Sequence, residues 1–326
     1  MTQNFPPCTE YNRTGSSKRS ARRWAIAIGT CLAALWAVNS SVARAQQGTG
    51  TLRVQTNLVA IPASVTDANG EPIPDLAQDA FALSEEGVPQ KIALFEAQTS
   101  RPLDLALMID SSLSTFKELK FETDAAAHFV RQVVRPGDAL SVFEFAENVT
   151  QLASFSDDVS RLEAGVRRIA PGAGTSLYDA VVLGAKALGR RPPGRRRAIV
   201  LVTDAGETTS ASKFEDARHA AIAAETLLYT IVIRPVKSES GRNTAGEHAL
   251  ITITDSAGGA MFTLDEVEQL DRMFDRINRE LRTQYWLGYY PHPSPPPGAD
   301  RRVRLEVRGG YVVRYRKEYF TPPVPE

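Results

Sequence analysis

Cysteine is nearly absent from this chain. There are two in 326 residues, Cys8 and Cys31, both near the amino terminus. The rest must fold without a disulfide, which argues against a small stapled extracellular module. Histidine is almost as scarce: His128, His219, His248 and His292 lie far apart, with no metal-ligand spacing among them. No Gly-x-Ser-x-Gly elbow marks a hydrolase nucleophile, and no Gly-x-x-x-x-Gly-Lys loop is available to cradle a phosphate. Internal repeats and long disordered tracts are lacking as well. Nor is there an excess of positive charge, since 38 basic residues balance 38 acidic ones.

The first 45 residues differ from the rest. Lys18, Arg19, Arg22 and Arg23 precede an uncharged run from Trp24 to Val38, and Ala43-Arg44-Ala45 then supplies a small-x-small cleavage pattern. This predicts a secretory signal peptide over residues 1–45. The alternative, a single membrane anchor, is disfavoured because the apolar run is short for a bilayer span. Cys31 sits in the middle of that run, which argues against lipoprotein processing. Cleavage would remove both cysteines, six basic residues and one acidic residue. The remainder would carry 32 basic and 37 acidic residues, a net charge of −5. The expectation is an exported protein, periplasmic or secreted, with no stable membrane span after cleavage and no basic field for nucleic acid.

The rhythm of the remaining chain changes twice. Residues 50–100 show short β patterns: Leu52–Val65 alternates apolar and polar residues, and Phe81–Ser84 and Lys91–Phe95 lie around the turn Glu85-Glu86-Gly87. From 101 to 283, apolar strands alternate with helical patterns, the signature of a mostly parallel sheet with helices on both faces. The first helix is expected over Thr115–Val134, with Phe116, Leu119, Phe129, Val130 and Val133 available for its apolar face. Residues 284–322 return to β, with Val303–Val307 and Val312–Tyr319 flanking Gly309-Gly310 as a hairpin. Neither β flank has enough strands for a stable sandwich. The predicted fold is therefore α/β, a doubly wound, mostly parallel sheet inserted in or flanked by an antiparallel β-sandwich. Residues 50–100 would form the sandwich's first part and 284–322 would complete it. Arg302, Arg304, Arg308, Arg314 and Arg316 read as the solvated face of the terminal hairpin, with an anion-binding stripe as the minority reading. Tyr285, Trp286, Tyr289 and Tyr290 read as sandwich core and edge rather than a sugar platform.

Chemistry concentrates in three loops. The apolar strand Leu103–Ile109 ends in Asp110-Ser111-Ser112-Leu113-Ser114. Alternate residues of an extended turn point the same way, so Asp110, Ser112 and Ser114 can converge. Gly174-Thr175-Ser176 opens a helix, and Thr203-Asp204-Ala205-Gly206 follows the apolar strand Ala198–Val202. In a doubly wound sheet, the carboxyl ends of neighbouring strands share one crevice. Carboxylate and hydroxyl oxygens are hard donors, the set preferred by Mg²⁺.

Asp-x-Ser-x-Ser followed by a separate Thr and a separate Asp resembles the von Willebrand factor type A domain and its metal-ion-dependent adhesion site. The flanks resemble the leader and tail of a bacterial, acidobacterial-type subgroup of that family, through Asn57–Asp67, Asp79-Ala80-Phe81, Gly87–Lys91 and Gln284–Tyr290. The resemblance implies that Asp110, Ser112, Ser114, Thr175 and Asp204 hold a divalent cation, Mg²⁺ or else Mn²⁺ or Ca²⁺. The hydroxyls would bind it directly, and one or both aspartates through water. An open position would take an Asp or Glu carboxylate from a protein partner. The implied protein is a non-enzymatic, exported binding or adhesion module. Two positions depart from the family pattern: Leu113 and Ala205 stand where glycine is usual, which leaves a structural or assembly module with a degenerate metal site as the alternative. An enzyme on this scaffold, such as a metal-dependent phosphohydrolase, is disfavoured because Ser112 stands where an Asp-x-Asp pair would need its second carboxylate.

Overall fold

The computed structural model describes residues 58–115, 117–234 and 244–321. The expected signal peptide, the first part of the expected β pattern Leu52–Val65 up to residue 57, and Phe116 lie outside these residues. Among the described residues, no helix is long and apolar enough to cross a membrane.

Four strands come first: β1 (Val59–Thr66), β2 (Phe81–Glu85), β3 (Val88–Gln90) and β4 (Ile92–Glu96). Two were expected around Glu85-Glu86-Gly87; β3 is additional. Glu86 and Gly87 both have positive φ, 47° and 79°, and Glu85 pairs with Val88 across them. This is the two-residue loop whose twist matches a tight hairpin. Pro89 can sit in β3 because that strand lies at the sheet edge, where a missing N–H costs no ladder bond.

The α/β part follows as β5 (Leu103–Asp110), α1 (Leu119–Val133), β6 (Ala139–Phe145), β7 (Val149–Ser156), α2 (Val159–Val166), α3 (Leu177–Gly189), β8 (Arg196–Thr203), α4 (Phe214–Ala223), β9 (Leu227–Ile233), α5 (Thr244–Ala257), β10 (Ala260–Leu264) and α6 (Leu270–Arg282). The sheet order is β10-β9-β8-β5-β6-β7, parallel except for the edge strand β7. Every residue of β5 and β9 is buried, as expected of parallel strands covered on both faces. The pleat divides β5 between two cores. Leu103, Leu105, Leu107 and Ile109 pack with α1, α2 and α6. Ala106 and Met108 pack with α3, α4 and α5. After β6 the chain crosses to β8 on the other side of β5, so the strand order reverses between β5 and β8. Their carboxyl ends flank the crevice where such sheets place ligands.

The chain returns as β11 (Tyr285–Tyr289), β12 (Asp300–Val307), β13 (Val312–Tyr315) and β14 (Glu318–Phe320). These strands pair with the first four, giving the four-stranded sheets β13-β1-β11-β4 and β14-β12-β2-β3. The expected hairpin at Gly309-Gly310 does not form. Val307 pairs with Phe81 while Val312 pairs with Thr66, so β12 and β13 lie in different sheets. The chain turns a sandwich corner there, giving β1 a partner on its otherwise open edge. Val312–Tyr319 accordingly breaks in two, and β14 comes back to β12. Tyr285, Trp286 and Tyr289 are buried and Tyr290 is half exposed. Phe81, Phe95 and Tyr285 form one tilted ring cluster with centroids 5.0–5.9 Å apart.

Two of the five arginines are not solvated. Arg314 pairs with the buried Glu280 of α6. Arg316, also buried, donates to the Ala60 carbonyl at 3.0 Å, to the Ile222 carbonyl at 3.3 Å and to Glu225 at 3.2 Å. Both lie where the sandwich meets the α/β part, so an alternating pattern alone misplaced them. Gly258, with φ +90°, ends α5 at the same joint. A Cβ there would stand 2.1–2.4 Å from the backbone of Tyr315 and Arg316.

Gly258→Ala should therefore cost well over the ~1–2 kcal/mol of left-handed strain alone. Gly137→Ala, with φ +88° but nothing within 4 Å of the new Cβ, should cost only that strain. Urea unfolding midpoints of the two variants measure the difference.

Candidate functional site

Asp110 is the last residue of β5 and is fully buried. Its Oδ1 accepts the N–H of Ser112 at 2.9 Å, and its Oδ2 accepts the hydroxyl of Thr203 at 2.6 Å. The Ser112 bond turns the loop back on itself. The loop is locked further by Thr115, whose hydroxyl donates to the carbonyls of Asp110 and Ser112 at 3.1 and 3.0 Å. Ser112 Oγ and Ser114 Oγ then lie 2.9 Å apart. The alternation of Asp110, Ser112 and Ser114 thus brings these oxygens together.

Thr203, which opens the third loop, has a role that the motif alone does not reveal. Besides binding Asp110, its Oγ1 accepts the N–H of Ala205 at 3.0 Å, which ties the end of β8 to the end of β5. Asp204 Oδ1 accepts the N–H of Gly206 at 2.8 Å. A Cβ on Gly206 would meet Asp204 Oδ1 at 2.9 Å and Thr175 Oγ1 at 3.3 Å. The Asp204 carboxylate and the Thr175 hydroxyl thus both lie beside Gly206, which has no side chain to separate them. The Thr175 carbonyl accepts the N–H of Thr208 at 2.9 Å, and Asp179 accepts those of Ala211 and Ser212 at 2.8 and 2.9 Å. Gly172 N–H donates to the Ser111 carbonyl at 2.8 Å. All three loops are stitched together by bonds that residue types in sequence order do not reveal.

Ala205 adopts φ +66° and is fully buried. A left-handed alanine carries roughly 1–2 kcal/mol of strain. Leu113, the other departure from glycine, is 65% exposed. Neither residue removes an oxygen from the cluster.

A second buried carboxyl was also missed. Glu122 lies in the first turn of α1 and is 1% exposed. It interrupts an apolar stripe of Leu119, Ala126, Phe129, Val130 and Val133 that packs on the sheet. That interruption was the available signal: a Glu at a position where helical spacing calls for an apolar side chain. Its Oε2 is buried with no hydrogen-bond partner. Burial, then the charges of Asp110, Glu118 and Asp204, push its carboxyl up to about 9. Burial likewise pushes Asp110 up to about 6, against the Thr203 hydrogen bond and with help from the Asp204 charge.

The cluster offers three hydroxyls and two carboxylates. Among the described residues, no group of three or more His, Cys, Asp or Glu side chains could hold a metal ion, so any cation here would lean on the hydroxyls. Hydroxyl and carboxylate oxygens are hard donors, which fit a hard divalent cation and do not fit a soft one.

Residues 105–207 match the family model of the von Willebrand factor type A domain, and this part of the chain is a domain of that kind. The match spans all five residues of the cluster. Domains of this family are generally interaction or adhesion modules rather than enzymes, and they commonly bind a divalent metal at a metal-ion-dependent adhesion site. No match emerges among curated proteins. Among solved structures, the chain is similar to a von Willebrand factor type A protein from Catenulispora acidiphila, at 14% identity and TM-score 0.47, covering 80% of this chain and 76% of that one. It is similar to BatB of Bacteroides thetaiotaomicron at 15% identity and TM-score 0.43, covering 55% and 98%. It is also similar to proximal thread matrix protein 1 of the mussel byssus, whose metal-ion-dependent adhesion site is zinc-occupied, at 14% identity and TM-score 0.48, covering 60% and 49%. Overlaps this loose carry nothing about partners.

Both raised carboxyls hold their protons more tightly in the folded chain than in the unfolded one. The stability they contribute is full below pH 4 and is lost as pH rises, through about 6 for Asp110 and about 9 for Glu122. In EDTA, the thermal midpoint should fall between pH 5 and pH 8, with Asp110 contributing about 1.5 kcal/mol of that loss and Glu122 the larger share. Asp110→Asn should flatten the part below pH 6 and raise the midpoint at pH 8. Ala205→Gly should stay within about 1 kcal/mol of the parent in urea unfolding. The strain released is offset by the entropy of the freer glycine and by the lost buried methyl.

Proposed function

We propose that this chain is an exported, non-enzymatic binding module in which Asp110, Ser112, Ser114, Thr175 and Asp204 hold a divalent cation, Mg²⁺ or else Mn²⁺ or Ca²⁺. The cation supplies a Lewis-acidic contact for an Asp or Glu carboxylate presented by a protein partner. The observation that carries this reading is the convergence of hydroxyl and carboxylate oxygens from three loops at the carboxyl ends of β5 and β8, where the sheet order reverses. Thr203 contributes by orienting Asp110. The domain division that goes with this reading is a signal peptide over 1–45, a type A domain over 101–283, and a β-sandwich built from residues 50–100 and 284–322. Export to the periplasm or beyond the cell rests on the signal pattern of the first 45 residues.

The second reading, a structural or assembly module with a degenerate metal site, draws support from Leu113 and the strained Ala205. Isothermal titration separates the two. The first reading expects heat from Mg²⁺ or Mn²⁺ at or below millimolar concentration, abolished by Asp110→Ala, and partner crosslinks in the cell envelope that disappear in EDTA. No heat from the parent protein, or crosslinks indifferent to EDTA, would leave the second reading standing.

A further inference from the structure

Among the described residues six carboxylates are buried: Glu85, Asp104, Asp110, Glu122, Glu247 and Glu280. Four of them face an arginine. Glu85 binds Arg301 at 2.6 Å, Asp104 binds Arg195 at 2.7 Å and Arg191 at 3.2 Å, Glu247 binds Arg234 at 3.0 Å, and Glu280 binds Arg314. The chain thus gives its buried carboxylates a cation, as desolvation demands. Asp110 and Glu122 are the two without one, and they bear on each other electrostatically. Asp110 has two hydrogen bonds in compensation. Glu122 Oε2 has none, and the charges that bear on it most are all negative: Asp110, Glu118 and Asp204.

A buried acid of this kind is poor core design. Leucine would fit the stripe of α1 and would leave no unpaired oxygen. Nothing in the packing of Leu119, Ala126 and Phe129 calls for a carboxyl. Without a cation Glu122 stays neutral by keeping its proton; a divalent cation held by Asp110, Asp204 and the hydroxyls would supply the counter-charge it lacks.

We infer that Glu122 is a sixth residue of the cation site, a positioning carboxylate that strengthens the hold on the ion without touching it. This rests on the proposed metal-binding reading. Among the described residues no three carboxylates lie at ligating separation, so Glu122 would not touch the ion itself. It would act by its charge on the cation held by the neighbouring residues. Outer partners of this sort commonly change metal affinity tenfold or more.

The test uses the full chain and Mn²⁺ alone. Titration calorimetry and thermal midpoints with and without Mn²⁺ are measured for the parent, Glu122→Gln, Glu122→Leu and Asp110→Ala. Both Glu122 variants should bind Mn²⁺ about tenfold more weakly or worse. The metal-free midpoint of Glu122→Leu should equal or exceed the parent's, because a buried unpartnered oxygen has been removed, that of Glu122→Gln should stay near it, and the rise in midpoint on adding Mn²⁺ should shrink in both. A purely structural Glu122 would instead shift the midpoints equally with and without metal. If the parent binds Mn²⁺ and Glu122→Gln binds it within twofold, the inference about Glu122 is overturned while the metal-binding reading stands. If the parent binds no Mn²⁺, both are overturned.

Discussion

The hydrogen bond from the Thr203 hydroxyl to Asp110 joins the ends of the two central strands, and the candidate site is organised around it. Asp110 sits at the end of a strand buried on both faces, so its carboxylate has no water to fall back on. It is held by one hydroxyl and one backbone N–H, each worth more in a dry setting than in solvent. Each of these bonds also positions something else. The Ser112 N–H bond bends the loop that brings Ser112 to Ser114, and Thr203 simultaneously holds the Ala205 N–H. Loosening Asp110 would therefore loosen the loops carrying Ser114 and Asp204 together.

The site is underneutralised by design of the sheet. Helices α1 and α3 leave the crevice on opposite faces, and no arginine comes from either to meet Asp110 or Glu122. Elsewhere the same chain places arginines on its buried acids, including those at the joint with the β-sandwich, where Glu280 meets Arg314. The two ends of the α/β part thus solve the same desolvation problem differently. The joint is neutralised by arginine side chains, while Asp110 and Glu122 at the crevice have no arginine partner among the described residues.

The alternation of apolar strands with helical patterns was enough to read the doubly wound sheet, and Asp-x-Ser-x-Ser, Thr175 and Asp204 were legible as a set of hard donors at element ends. Less legible were the partners that position them. Thr203 is one more polar residue in a loop until β5 and β8 are seen side by side. Glu122 could have been noticed as the acid in an apolar stripe, but its lack of a partner exists only in three dimensions. The terminal strands misled for a related reason. A glycine pair between two β patterns favours a hairpin, yet the open edge of β1 outcompeted local pairing and drew β13 into the other sheet.

The periodicities, the order of the elements and the chemical character of the donors depend on residues close together in the chain and are written there. The tertiary structure alone decided which acids are left without a counter-charge, which hydroxyl orients Asp110 and where Arg314 and Arg316 go. Those outcomes depend on burial and on contacts between segments far apart: Glu122 is 82 residues from Asp204, and Thr203 is 93 residues from Asp110. Desolvation is a property of the assembled fold, and no stretch of sequence carries it alone.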